Sequence, residues 1–132
     1  MPPDHVDAVW EQVGPMLKKA THLSAGRYRI GDLYGLIAGG SCHLWIVFEP
    51  GMKIISAATS VFNVYPGGKW LTAQFMGGAE AYGCRDIFLD TFERWAKDNG
   101  CKGVEFGGRS GWTRVLKPRG YIDYHRFFQK EL

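Results

Sequence analysis

Residues 69–100 read KWLTAQFMGGAEAYGCRDIFLDTFERWAKDNG, and the spacing of apolar side chains changes character halfway through. Up to Gly77-Gly78 the run reads as a strand that the turn at Pro66-Gly67-Gly68 leads into. Beyond it Ala81, Cys84, Phe88, Phe92, Trp95 and Ala96 recur at about 3.6 residues on one face, with Arg85, Asp86, Asp90, Glu93, Arg94, Lys97 and Asp98 falling largely elsewhere. That pattern predicts a strand, a glycine joint and an amphipathic helix, which Asn99-Gly100 ends because glycine takes the left-handed conformation past a helix terminus.

Outward toward the amino terminus, KIISAATSVFNVY (53–65) and CHLWIVFE (42–49) are two further strand candidates. The second is almost continuously apolar, as in a strand covered on both faces. Pro66-Gly67-Gly68 and Glu49-Pro50-Gly51-Met52 read as turns, so the three strands form an antiparallel meander. Ahead of them DHVDAVWEQVGPMLKKA places Val6, Val9, Trp10, Val13, Leu17 and Ala20 at helical spacing, with Asp4 as cap and Gly14-Pro15 expected to kink or divide the helix. A short helix fits RIGDLYGLIAGG, with Ile30, Leu33, Tyr34 and Ile37 on one face.

Toward the carboxyl terminus, KGVEFGG is a short strand joined through the helix and hence expected parallel to its predecessor. Trp112, Val115 and Leu116 give a short helix, stopped by Pro118-Arg119-Gly120, and the early part of YIDYHRFFQKEL reads as a last strand. The fold class is α+β, with a mixed, mainly antiparallel central sheet and helices on both faces.

A chain of 132 residues with 45% hydrophobic and 22% charged residues suits one soluble domain spanning 1–132. No apolar run reaches the ~18 residues of a membrane span, and MPPDHVDAVW does not resemble a signal peptide, so no membrane partner is expected and a cytoplasmic location is. Cys42, Cys84 and Cys101 show no paired spacing and read as buried or idle thiols, while His5, His22, His43 and His125 lack metal-ligand spacing, so no metal is expected. The net charge of +3 is uneven: residues 101–132 carry seven bases against three acids, a balance of +4. Such an end could attract phosphates. Nucleic-acid binding through Tyr121, Tyr124, Phe127 and Phe128 is the disfavoured reading, because alternating aromatics more often build strand cores.

The element order, with Gly111-Trp112-Thr113-Arg114-Val115-Leu116-Lys117-Pro118-Arg119-Gly120-Tyr121 after a long helix and a strand, resembles the GNAT superfamily of Gcn5-related N-acetyltransferases. In that family an aromatic after a glycine opens the last strand. The family's first strand is missing here, and the overall pattern is also similar to short GNAT-like proteins of tailed bacteriophages. The resemblance implies acetyl-CoA lying where the fourth and fifth family strands splay, with its pyrophosphate at the start of the long helix. It implies a primary amine as acceptor.

On that resemblance Phe75, Met76, Gly77, Gly78 and Ala79 would contact the cofactor, and Arg109 a phosphate. The stretch Met76–Gly83 departs from the family's [RQ]-x-x-G-x-[GA] pattern, and Glu80 adds a negative charge. Gly77-Gly78 is read equally as a joint that needs permissive dihedrals. The family's tyrosine acid falls on Leu116, with Tyr121, Tyr124 or a water as substitutes. Glu105, opposite Val104 and Phe106, is the candidate base, Glu49 the second; an ion pair of Glu105 with Arg109 or Arg114 is the structural alternative. Ser110 reads as a helix cap. The sequence thus supports an acetyltransferase with a degenerate cofactor loop, or a non-catalytic pseudoenzyme serving as a phage structural or host-interaction protein.

Overall fold

A computed structural model describes residues 1–24, 26–51, 53–78, 81–107, 112–123 and 128–132. Helices α1 (Val6–Thr21) and α2 (Ile30–Ala38) precede strands β1 (His43–Glu49), β2 (Lys53–Tyr65) and β3 (Gly68–Gly77). Helix α3 (Ala81–Asp98), strand β4 (Gly103–Glu105) and the short helix α4 (Thr113–Leu116) follow. The sheet order is β1-β2-β3-β4, antiparallel except for the β3–β4 pair. The mixed α+β architecture expected from the sequence is the one found.

Side-chain alternation along the strands divides the core in two. Leu44, Ile54 and Ala57 pack with Val6, Val13 and Leu17 of α1 and Leu33 and Ile37 of α2. Trp45, Ala58 and Leu71 face Cys84, Phe88, Phe92 and Ala96 of α3 on the opposite side. The centre of β2, Ser56 to Ser60, is therefore buried on both faces, and its hydroxyls must find partners inside. Ser56 donates to the Gly77 carbonyl at 2.8 Å, Thr59 accepts from the Phe75 amide at 3.3 Å, and Ser60 meets Trp45 Nε1 at 2.8 Å and His43 Nδ1 at 2.9 Å.

Pro15 does not divide α1. Its ring removes the amide that would bond the Glu11 carbonyl, but both residues lie on the exposed face, where water can serve that carbonyl. Nor is Asp4 the cap: residues Pro3–His5 form a 3₁₀ turn, and His5 precedes α1 without a side-chain cap bond. Helix α2 follows expectation, its first turn closed by the Arg29 amide donating to Asp32 at 3.0 Å and its end turned by Gly40 at φ +84°.

The glycine and tyrosine after α4 form a joint. Gly120 adopts φ +89°, the left-handed conformation that glycine takes without strain, and the Tyr121 amide caps Leu116. Arg119 then reaches Asp90 at 2.6 Å and Glu93 at 3.0 Å on α3, where the Tyr121 hydroxyl donates to Glu93 at 2.9 Å. The expected last strand does not begin here: residues 121–123 are not in the sheet, and residues 124–127 lie outside the described residues.

Candidate active site

Two irregularities shape the middle of the sheet. Between β1 and β2 the register slips after Val47, with Ile55 as the extra residue on β2. Between β2 and β3 it slips again: Ala58 pairs with Met76 and Ser60 with Ala73, so β3 holds one more residue than β2 over that interval. Such a bulge turns consecutive side chains to one face. Gln74 and Phe75 both point toward α1 and α2, where Phe75 stands edge-on to Tyr28 at 5.3 Å and Gln74 Nε2 approaches the Tyr28 hydroxyl at 3.5 Å. Ala73 and Met76 both point toward α3.

The bulge lies just beyond the end of the β3–β4 pairing. β3 and β4 pair only at Trp70–Gly103, Leu71–Val104 and Thr72–Glu105, and β3 then runs on to Gly77 with no strand beside it on that flank among the described residues. Glu105 stands at the last pair. As its alternation predicts, it faces away from Val104, which packs toward α3.

Its partners among the described residues are hydroxyls, Arg114 is not one of them, and Arg109 lies outside the described residues. Glu105 Oε1 accepts from the Tyr65 hydroxyl at 2.5 Å and from Thr72 Oγ1 at 2.8 Å, and Thr72 in turn accepts from Asn63 Nδ2 at 2.6 Å. Oε2 takes no hydrogen bond among the described residues. The carboxylate is thus held through one oxygen and offers the other, the arrangement a proton acceptor needs. Asn63, Tyr65 and Thr72 were not singled out from the sequence. Their signal was the spacing Asn63-x-Tyr65 across the hairpin from Thr72, which places the three on one face once the turn at Pro66-Gly67 fixes the register.

The other expected residues separate. Glu49 is exposed at the far end of the edge strand β1, with β2 and β3 between it and β4, so it cannot share a site with Glu105. The Tyr121 hydroxyl donates to Glu93, and burial with that carboxylate raises its pKa above the ordinary phenol range. Leu116 is partly buried in α4. Ala79, Glu80, Arg109, Ser110 and Tyr124 lie outside the described residues. Among the described residues no three His, Cys, Asp or Glu side chains gather as metal ligands, and no helix is long and apolar enough to cross a membrane.

Gly77 and Gly78 are close-packed. A Cβ on Gly77 would lie 2.1 Å from the Met16 carbonyl oxygen of α1, and one on Gly78, at φ +118°, 2.5 Å from the Ile55 carbonyl oxygen. The missing side chains are accounted for by backbone approach from within the protein.

This layout defines a GNAT fold. The chain superposes on a GNAT family acetyltransferase from Staphylococcus aureus with a TM-score of 0.64 at 16% identity, covering 95% of this chain and 93% of that one. A predicted acetyltransferase from Clostridium acetobutylicum, solved with acetyl-CoA, aligns with a TM-score of 0.68 at 15% identity over 99% and 92% of the two chains. A transcriptional regulator from Bacillus halodurans C-125 aligns with a TM-score of 0.73 at 15% identity over 95% and 94%. At such identities the likeness is one of fold. No protein-family model and no curated protein sequence matches the chain.

Proposed function

We propose that the protein is an N-acetyltransferase that moves an acetyl group from acetyl-CoA to a primary amine. The observation that carries this reading is that the β3–β4 pairing ends at a carboxylate fixed by Tyr65 and Thr72 while β3 runs on to Gly77. The flank of β3 from Ala73 to Gly77, without a strand beside it among the described residues, fits an extended ligand arm laid against strand backbone. Phe75 and Met76, on opposite faces of that segment, would bracket the arm, with Gly77, Gly78 and Ala79 leading to the phosphate end and Arg109 as a phosphate partner. Acetyl-CoA, when bound, supplies the thioester.

The chain's own part is positioning and proton transfer. Strand amides beyond the last β3–β4 pair are fixed donors of the kind that stabilise a developing oxyanion at little reorganisation cost. Glu105 Oε2 takes the proton of the acceptor ammonium through a water, while Tyr65 and Thr72 hold Oε1 and orient the carboxyl plane.

A second reading, a non-catalytic binding protein on this scaffold such as a phage structural or host-interaction component, is favoured by two observations. Leu116 cannot donate a proton, and the glycines expected to cradle a pyrophosphate are filled by backbone instead.

Isothermal titration with acetyl-CoA, with coenzyme A as companion, separates the two. Micromolar binding, followed by acetylation of an amine panel that falls about 100-fold in kcat in Glu105→Gln, supports the enzyme. No binding at millimolar ligand by folded protein rules it out. Gly78 is unsuited as a probe, because any side chain there collides with β2.

A further inference from the structure

Strand β1 forms one margin of the described sheet, and among the described residues no strand pairs with its outer flank. Its only hydrogen bond on that side among the described residues is from the Met1 ammonium to the Leu44 carbonyl at 2.9 Å. That bond reveals the phase of the strand: the carbonyl of Leu44 faces outward, so by the alternation of strand backbone the N–H and C=O groups of Ile46 and Phe48 face outward too. The edge carries none of the usual guards. His43–Glu49 contains no lysine, no proline and no inserted residue, and the bulge beside it belongs to β2. Phe48 is 43% exposed.

We propose that this edge pairs with the same edge of a second copy of the chain, antiparallel about a twofold axis through Ile46. With outward groups at residues 44, 46 and 48, that register sets Ile46 opposite Ile46, Leu44 opposite Phe48, Trp45 opposite Val47, and His43 opposite Glu49. Every pair is then apolar against apolar, or an imidazole against a carboxylate that its free ring nitrogen can serve as a neutral donor. A shift of one pair toward the carboxyl end brings Leu44 against Pro50, which has no amide to give, and Trp45 against Glu49. A shift the other way sets His43 against Val47 and Glu49 against Ser41, losing the imidazole–carboxylate pair. The four described strands of each copy then join in one continuous sheet, closed by its twofold axis so that it stops at two copies. Met1 competes with the partner's Phe48 amide for the Leu44 carbonyl.

Sedimentation equilibrium on the intact chain is the test. The expected result is a dimer with a micromolar dissociation constant, weakened at least tenfold by Phe48→Lys and by Glu49→Lys. Both residues are exposed, so the variants should keep the wild-type far-ultraviolet spectrum. Ile46→Cys in a Cys101→Ser background should give an intermolecular disulfide under mild oxidation, since hydrogen-bonded antiparallel pairs bring Cα atoms to about 5.5 Å. A chain that stays monomeric into the millimolar range overturns the proposal, as does a dimer indifferent to Phe48→Lys or a monomer that captures an extended peptide of another sequence on this edge. Acetyl-CoA binding has no part in the readout.

Discussion

Replacing Gly77 by alanine tests the claim that α1 rests directly on the backbone of β3. The new Cβ would stand 2.1 Å from the Met16 carbonyl oxygen and 2.8 Å from its carbon, both backbone atoms in mid-helix that no rotamer change can move. An unstrained carbon–oxygen approach is about 3.3 Å, so α1 must retreat by about 1 Å. A retreat of that size forfeits a quarter to a half of the dispersion energy of each interface contact. The side chains that lose it are Val13 and Leu17, fully buried between α1 and the sheet. Overpacking of this kind costs about 3 kcal/mol, which for a chain of this length lowers the melting temperature by about 10 °C. Gly35→Ala is the matched control. That glycine lies within α2 with nothing within 4 Å of its would-be Cβ, so alanine there should raise stability by about 0.7 kcal/mol through helix propensity alone. Thermal and urea unfolding followed by circular dichroism measure both variants. A Gly77→Ala protein that melts with the wild type would refute the close-packed account of the joint and return Gly77 to the set of residues kept small for a ligand.

Other outcomes follow from the charges and buried groups. Arg119→Ala should cost about 1 kcal/mol at low salt and less at high salt, because Asp86, Asp90 and Glu93 are largely exposed and screened; equal losses at both salts would count against an electrostatic tether. Burial pushes the Cys42 thiol up to about 11 from an ordinary 9.0, with hydrogen bonds to Thr59 and Ser60 opposing the shift. The unfolded chain therefore releases that proton first, and stability holds below pH 9 and falls as pH rises toward 11. A Cys42→Ala protein should lack this slope in urea midpoints. His43 is shifted the other way, below 6.5, by burial first and the nearby Met1 ammonium second. Its contribution is present above that value and lost as pH falls through the folded-state pKa; nuclear magnetic resonance titration of the ring showing a pKa at or above 6.5 would contradict this. Tyr65→Phe and Thr72→Val should each lower kcat for amine acetylation about tenfold with KM for acetyl-CoA unchanged, and loss of acetyl-CoA binding instead would place the pair in the ligand site.

Local chemistry wrote most of the elements into the sequence. The boundary between KWLTAQFMGG and the helix after it, the turn at Pro66-Gly67 and the left-handed Gly100 are each set by residues within a few positions of one another, and all appear as read. What was not legible depends on distance along the chain. Glu105 was found by alternation, but Tyr65 lies 40 residues away and meets it only because β2, β3 and β4 align. The extra residue at Gln74-Phe75 has no compositional mark, since a bulge is a property of two strands together. Pro15 misled because proline's penalty depends on whether the orphaned carbonyl is wet, and exposure is decided by the tertiary fold. Glu49 and Glu105 look alike in sequence, and sheet order alone sets them apart.

The arrangement of α3 has a consequence for synthesis. The two amino-terminal helices and the meander of residues 1–77 leave the ribosome first and can bury Leu44, Ile54 and Ala57 at once. The opposite side of the same sheet, with Trp45, Val47, Phe62 and Ala58, has no cover until α3 emerges. For that interval the nascent chain presents a wet aromatic surface of the kind chaperones bind and aggregates grow from. A chain truncated after Gly78 should therefore precipitate on release unless a peptide corresponding to α3 is supplied, and a freely soluble fragment would show that the surface is protected in some other way.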